Sequence, residues 1–188
     1  MNKKHIITIA GGIGSGKSST ADMVAKELGY KRFSSGDFMR QVAVDMNMTL
    51  NELSTKAESD PSIDTKIDTE VKKAGEMNEV VIDSRLAFHW IPESFKVYLD
   101  LPPEISKSRI LNNLKENPLR RQSEESLTEE EIYEKITHRL ESEKKRFKEM
   151  YGVEHTDKNN FDLVIDTDKN NLEEVAGKIV SEYKNWIS

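Results

Sequence analysis

The sequence predicts an α/β fold in which helices cover both faces of a parallel sheet. Short apolar runs alternate along the chain with segments of helical periodicity, and this alternation is typical of parallel sheets. A length of 188 residues suits one domain with a single core. No internal repeat or low-complexity linker divides it, so we expect 1–188 to form a single domain. The expected strands are 6–10, 80–83, 97–101, 163–166 and, with a weaker pattern, 30–33.

Three helices are recognisable from their ends or their spacing. Thr49 and Glu52 fit a capping box, which marks the first turn of a helix. Asp60 followed by Pro61 fits an N-cap with proline at the first helical position. Near the C-terminus, apolar residues keep helical spacing, so that helix is expected to pack against the sheet. These residues are Leu172, Val175, Ile179, Tyr183 and Trp186.

Composition and charge argue against several classes of protein. The chain carries 28 basic and 34 acidic residues, a net charge of −6, which disfavours binding to bulk nucleic acid or to an anionic membrane. It has no cysteine, which excludes disulfides, thiolate metal sites and cysteine nucleophiles. No apolar run approaches the roughly 20 residues that cross a bilayer, so we expect a cytoplasmic protein. The charge-rich segment 104–149 fits either a solvated helix face or a lid.

A phosphate-binding motif follows the first predicted strand. The sequence GGIGSGKS at 11–18 matches G-x-x-x-x-G-K-[ST] at every fixed position, between a strand and a helix. Glycines let backbone N–H groups turn towards phosphate oxygens, and the helix N-terminus adds positive potential. Lys17 is expected to reach the β- and γ-phosphates of ATP, and the Ser18 hydroxyl to ligate Mg²⁺. The predicted ATP-binding residues are Gly11, Gly12, Ile13, Gly14, Ser15, Gly16, Lys17, Ser18 and Ser19.

An acidic residue ends the predicted strand at 80–83. In P-loop proteins an acid at the place of Asp83 orients the magnesium ion or its water molecules. The next residue is Ser84 and not a second acid that would activate water, which favours phosphoryl transfer over hydrolysis. The strings Asn-Lys-x-Asp and Asp-x-x-Gly of signalling GTPases do not occur.

The arginines distinguish between two kinds of phosphoryl acceptor. A hydroxyl acceptor needs a carboxylate base, whereas a nucleoside monophosphate brings an anionic oxygen and needs cations. Arg40 follows the second predicted strand, and Arg85 lies at the carboxyl edge of the sheet, where α/β folds bind ligands. Arg139 and Arg146 share a helix face with Glu143. These positions suit a site that holds two phosphate groups.

The whole chain resembles the cytidylate kinases, particularly the short archaeal-type branch of the nucleoside monophosphate kinase superfamily. The resemblance implies a three-layer P-loop kinase fold with a five-stranded parallel sheet. It also implies a helical monophosphate-binding insert at 36–77 and a helical lid at 111–146. The motifs that carry it, in order, are SSGDFMR at 34–40, AESDPSID at 57–64, DSRLA at 83–87, residues 139–146, YGV at 151–153 and FDLVIDT at 161–167.

The same resemblance implies roles for the residues around the acceptor. Ser35, Arg40 and Arg85 match residues that hold the acceptor nucleotide. Arg139 and Glu143 match residues that bind its ribose end.

Three further residues complete the implied site. Arg146 matches a residue that bridges the phosphates. Asp64 and Asp68 are suited to accept from the cytosine amino group, with a capping or solvated role as the alternative. The lid departs from the family pattern at three positions. Ser106 and Asn113 stand where family members often carry arginines, and Leu140 stands where they usually carry an acid. Arg109 is kept, and Arg120 and Arg121 lie in the lid loop.

The sequence thus predicts an ATP-dependent (d)CMP kinase that works with Mg²⁺, as a monomer, without nucleic-acid or membrane partners. Transfer is expected to be in line, without a general base, after a lid excludes water. One alternative is a kinase of UMP, AMP or a hydroxylated metabolite such as shikimate, for which Asp37 is the candidate base. Another is a nucleotide-dependent adaptor without catalysis. The predicted catalytic residues are Lys17, Arg109, Arg139 and Arg146.

Overall fold

A computed structural model describes residues 4–116 and 128–188, and its centre is a parallel five-stranded sheet. The strand order is β2-β3-β1-β4-β5. This architecture confirms the predicted three-layer α/β fold, and each predicted strand is present with its ends shifted by at most two residues. The strands are β1 (Ile6–Gly11), β2 (Lys31–Ser34), β3 (Val80–Asp83), β4 (Phe95–Asp100) and β5 (Leu163–Asp166).

Helices connect consecutive strands, as parallel pairing requires. The connection from β2 to β3 is a helical insert, and the connection from β4 to β5 carries two long helices with residues 117–127 between them. Those eleven residues, which include the predicted lid arginines Arg120 and Arg121, lie outside the described part of the chain. The helices are α1 (Lys17–Leu28), α2 (Ser35–Asp45), α3 (Leu50–Ala57), α4 (Ser62–Glu76), α5 (Ala87–Trp90), α6 (Pro103–Glu116), α7 (Glu129–Tyr151) and α8 (Leu172–Ile187), with a 3₁₀ turn at Lys158–Asn160.

Two apolar layers hold the helices to the sheet. Side chains alternate in direction along a strand, so Ile7 and Ile9 of β1 pack with α1 and α8, whereas Ile6 packs with α4 and α5. The apolar residues predicted on the C-terminal helix fulfil this role: Val175, Ile179 and Tyr183 are buried in the first layer. Among the described residues, no helix is both long and apolar enough to cross a membrane.

The insert between β2 and β3 has a small core of its own. Leu53 of α3 is fully buried against residues of α2 and α4. The predicted capping box at Thr49 and Glu52 is present, with both of its reciprocal hydrogen bonds. The next helix, α4, begins at Ser62 and not at Pro61 as expected. Asp60 still satisfies an open backbone donor, because its Oδ1 accepts from Ser62 N at 3.2 Å.

The strand order determines where a ligand binds. From β1 the chain moves to one side of the sheet to form β2 and β3, and then crosses to the other side for β4 and β5. Parallel sheets bind ligands at such a reversal, outside the carboxyl ends of the strands. The segment that leaves β1 at this point is the predicted phosphate-binding loop.

Candidate active site

The loop between β1 and α1 has the backbone shape that its glycines allow. Gly14 and Gly16 have φ angles of 75° and 82°, which is the left-handed region that glycine enters without strain. Gly11 has φ 146°, and a Cβ atom there would lie 2.4 Å from the carbonyl oxygen of Leu99. Ser15 Oγ donates to Gly12 O at 2.9 Å and fastens the loop internally. The glycines of the motif therefore serve both conformation and packing.

Lys17 is the first residue of α1 and its ammonium group folds back over the loop. Nζ donates to Gly11 O at 3.0 Å and to Gly12 O at 2.7 Å. Burial, followed by the charge of Arg85, lowers the pKa of Lys17 to about 8. The ammonium charge is thus only partly compensated by its surroundings. Asp83 and Glu143 act in the opposite direction on this pKa, and an anion bound in the loop would compensate the ammonium charge further.

Ser18 and Asp83 form the second polar unit of the loop. Ser18 Oγ donates to Asp83 Oδ2 at 2.7 Å, and Asp83 is 5% exposed. The same carboxylate oxygen accepts from Ser34 Oγ at 3.3 Å and lies 3.5 Å from Arg32 Nη2. Because the Ser18 proton is directed at the carboxylate, its lone pairs remain available to a cation. These hard oxygen donors fit the preference of Mg²⁺.

A cavity next to this loop contains six of the predicted acceptor-site residues. Its volume is about 60 Å³, well below the roughly 300–1,000 Å³ of sites that hold whole small molecules. Two ion pairs connect its walls, Arg85 with Glu143 and Arg146 with Asp64. Among its lining residues are Ser35, Asp64, Asp68, Arg85, Glu143 and Arg146.

The first of these ion pairs joins the end of β3 to α7. Arg85 donates to Glu143 Oε2, and the Glu143 side chain is only 4% exposed. Arg139, one turn earlier on α7, places its Nε 3.9 Å from Glu143 Oε1. The carboxylate therefore holds the two arginines near one another. Both arginines also act electrostatically on Lys17, so the predicted donor and acceptor cations belong to one electrostatic group.

The second ion pair joins the insert to α7 and is buried. Arg146 Nε donates to Asp64 Oδ2 at 2.7 Å and Nη2 donates to Oδ1 at 3.4 Å, which is a two-point contact. A third donor of the guanidinium, Nη1, reaches Ser142 Oγ at 2.5 Å. Asp64 and Arg146 are 5% and 6% exposed. Asp64 is thus engaged by the arginine that sequence analysis placed on the phosphates.

Asp68 lies one turn further along α4 and has a different partner. Tyr151 Oη donates to Asp68 Oδ2 at 2.5 Å. Burial raises the pKa of Asp68 above its ordinary value, against the hydrogen bond from Tyr151. Asp64 and Asp68 are both buried, so the solvated role that was the alternative for them is wrong.

Two predicted arginines have partners outside the central cluster. Arg40 is paired with Asp37 in α2, and its side chain is about half exposed beside Gly36 at the rim of the cavity. Arg109 Nη2 donates to Thr167 O at 2.7 Å, just beyond β5. Their predicted contacts with phosphate stay predictions.

Two residues of β2, Arg32 and Ser34, support Asp83, although their sequence pattern did not indicate this role. Arg32 also pairs with Asp22 at 3.2 Å and with Asp37 at 3.1 Å. Ser34 is the residue directly opposite Asp83 in the β2–β3 register. Arg32 and Ser34 are two positions apart and therefore share a face of β2, but this spacing becomes informative only when β2 is known to lie beside β3.

Comparisons with known proteins place this arrangement in a family. Residues 6–169 match the model of the cytidylate kinase-like family. A cytidylate kinase of Methanocella arvoryzae is 36% identical over 165 residues, covering 87% of this chain and 88% of that protein. An S-adenosylmethionine-dependent nucleotide dehydratase of Lacinutrix mariniflava is 32% identical over 183 residues; the match covers 96% of this chain but only 36% of that protein.

A solved structure with the same architecture is the shikimate kinase of Bacteroides thetaiotaomicron. Its TM-score is 0.63 at 14% identity, and the match covers 95% of this chain and 98% of that one. At this identity the likeness supports the P-loop kinase fold alone. The family match extends over most of the chain and confirms the predicted class of enzyme, an ATP-dependent nucleoside monophosphate kinase. This chain therefore belongs to the cytidylate kinase-like family.

Proposed function

We propose that this protein transfers the γ-phosphoryl group of ATP to CMP or dCMP, giving ADP and the nucleoside diphosphate. The observation that carries the proposal is the adjacency of two anion sites at the carboxyl edge of the sheet. One is the loop 11–18 with Lys17, and the other is the cavity that contains Arg85, Glu143 and Arg146. Arg85 belongs to the cavity and acts on the charge of Lys17, so a phosphoryl group moving between the sites stays near cations.

The proposed catalysis is electrostatic and positional. An acceptor phosphate already carries an anionic oxygen, so the protein has to hold two negative groups together and compensate the charge on the moving phosphoryl. In this proposal Lys17 releases its two backbone carbonyls to bind the β- and γ-phosphates. Arg85 and Arg139 release part of their contact with Glu143 and bind the acceptor phosphate instead. A lid formed from residues 111–146 closes over both nucleotides and excludes water.

Magnesium fits this site through the Ser18–Asp83 unit. Ser18 Oγ would bind the ion directly, and Asp83 would hold its water shell. When bound, the ion neutralises charge on the β- and γ-phosphates. Arg32 and Ser34 keep the Asp83 carboxylate in place for this role.

Recognition of cytosine is assigned to the buried acids of α4. A carboxylate accepts a hydrogen bond from the exocyclic amino group of cytosine, whereas uracil presents an acceptor oxygen at that position. A buried acceptor left facing another acceptor is costly, so such a site rejects uracil. Asp68 is the better placed of the two, because Arg146 holds Asp64 at two points, while Asp68 accepts a hydrogen bond from the neutral hydroxyl of Tyr151. We also propose that the enzyme works as a monomer, because one chain supplies all of these residues, and that it acts in the cytoplasm.

The surroundings of Asp37 argue against the hydroxyl-kinase alternative. Burial acts to raise the pKa of Asp37, but hydrogen bonds and charge from Arg40 and Arg32 outweigh it and hold the pKa below its ordinary value. A carboxylate with a lowered pKa is a weak base for deprotonating a hydroxyl. Asp37 instead forms ion pairs with Arg32 and Arg40.

The test is ADP formation from ATP with CMP, compared between wild type and two lysine variants. Lys17→Ala removes the phosphate-binding ammonium and is expected to lower turnover by about a hundredfold or more. Lys26→Ala changes an exposed lysine at the other end of α1 and is expected to behave as wild type. Near-normal turnover of Lys17→Ala would overturn the proposal.

A further inference from the structure

Ser106 joins helix α6 to the phosphate-binding loop. Ser106 Oγ donates to the carbonyl oxygen of Ile13 at 2.6 Å. The two backbones are also in close contact, because a Cβ on Gly14 would lie 3.3 Å from Ser106 O and 3.4 Å from Ser106 Oγ. Ser106 itself is fixed in the first turn of α6, where its backbone N donates to Pro102 O at 2.9 Å. The side chain therefore acts from a rigid support.

The geometry of the peptide group gives this contact a consequence for phosphate binding. The carbonyl of Ile13 and the N–H of Gly14 belong to one planar trans peptide and point in opposite directions. Holding the carbonyl against α6 turns the Gly14 N–H away from α6. Loops of this type bind phosphate through N–H groups that converge on the anion. Gly14 has φ 75°, so few residues other than glycine would let the peptide adopt this direction.

We propose that Ser106 is a positioning residue that fixes the direction of the Gly14 N–H for binding the phosphates of the donor nucleotide. The identity of that nucleotide rests on the proposed function; the loop geometry does not. Ser106 stands near the lid entrance at a place where the family pattern has an arginine. A serine at this place supplies a hydrogen bond to the loop where an arginine would supply charge.

The variant Ser106→Ala tests this role, because it removes one hydrogen bond with little change in volume. The dissociation constant for ADP, measured by calorimetry, is expected to rise about three- to tenfold, as for loss of one hydrogen bond. KM for ATP should rise similarly, while KM for CMP stays within about twofold. Ser106→Thr retains the hydroxyl and should restore most of the ADP affinity. Ser181→Ala changes an exposed serine of α8 and serves as the control.

The outcomes separate this inference from the proposed function. Unchanged ADP affinity in Ser106→Ala, or an equal rise in KM for ATP and for CMP, would overturn the positioning role. The role would also be overturned if Ser106→Ala lowered both the thermal midpoint and the ADP affinity and Ser106→Thr restored neither. That result would indicate that Ser106 contributes packing alone. If wild type binds ADP but transfers nothing to CMP, the proposed function fails while the ADP measurements still test Ser106.

Discussion

Replacing Asp64 by Asn is expected to destabilise the protein far more than a surface charge change does. The substitution keeps the shape of the side chain and removes its negative charge. Arg146 then keeps Ser142 but loses the anion that neutralises it, in a place where its side chain is 7% exposed. The perturbation therefore leaves a buried cation without a counter-charge, which is the costly way to break an ion pair.

The magnitude follows from the burial of the pair. Removing one partner of a buried ion pair costs about 3–5 kcal/mol. In a domain of this size about 1 kcal/mol corresponds to roughly 2–4 °C in the melting midpoint, so the expected shift is about 6–20 °C. By contrast, Glu70→Gln breaks the surface pair of Glu70 with Lys73 on the same helix, which is expected to cost less than about 1 kcal/mol.

Urea unfolding followed by circular dichroism measures both changes, provided that the denaturant slopes agree among the variants. The double variant Asp64→Leu/Arg146→Met removes both charges and should regain most of the lost stability, because apolar side chains replace buried ion pairs at little cost. A loss below about 1 kcal/mol for Asp64→Asn would refute the reasoning. The reasoning would also be refuted if the double variant lost as much unfolding free energy as the single variants Asp64→Leu and Arg146→Met lose together.

Three further predictions concern the site itself. Lys17 has a pKa of about 8, and bound phosphate favours its charged form. ADP binding at pH 8.5 should therefore take up protons, which calorimetry in two buffers of different ionisation enthalpy measures. Binding without proton uptake would contradict this prediction. Asp37→Asn should raise KM for CMP with kcat kept within about tenfold; a collapse of kcat would indicate a base. Ser18→Ala should raise the Mg²⁺ concentration for half-maximal rate, unlike Ser62→Ala in the insert, and an unchanged Mg²⁺ dependence would remove Ser18 from the metal site.

The sheet, the phosphate-binding loop and the start of α3 were predictable because each depends on neighbours in sequence. Apolar runs mark buried strands, and the capping box at Thr49 and Glu52 occupies four consecutive positions. The start of α4 was misplaced by one residue, since Asp60 reaches the N–H of Ser62 while Pro61 stays outside the helix.

The pairing of charges was not predictable, because the partners are remote in sequence. Arg85 and Glu143 are 58 residues apart, and Asp64 and Arg146 are 82 apart. Sequence analysis placed all four at the acceptor site, but it assigned each arginine to phosphate and neither to a carboxylate. These contacts exist because α7 lies beside both Asp64 of α4 and Arg85, which follows β3, and no local pattern encodes that packing.

The support of Asp83 was hidden for the same reason. Arg32 and Ser34 reach it from β2, and only the strand order β2-β3-β1 makes the two strands neighbours. The sequence shows that Ser106 stands in place of an arginine, but not that its side chain binds Ile13, which is 93 residues away. Residues that position other residues are the ones that local patterns reveal least.

The most direct test of the account is a competition in one tube. Wild-type protein is given ATP with equal concentrations of CMP, dCMP, UMP and shikimate, and the products are separated by chromatography over time. AMP is tested in a separate reaction, because its phosphorylated product is itself ADP. We predict that CDP and dCDP form first, with UDP trailing because uracil lacks the amino group that donates a hydrogen bond to Asp68, and that the amount of ADP equals the sum of the phosphorylated acceptors. Preferential formation of UDP or shikimate phosphate, or ADP released without any phosphorylated acceptor, would contradict it.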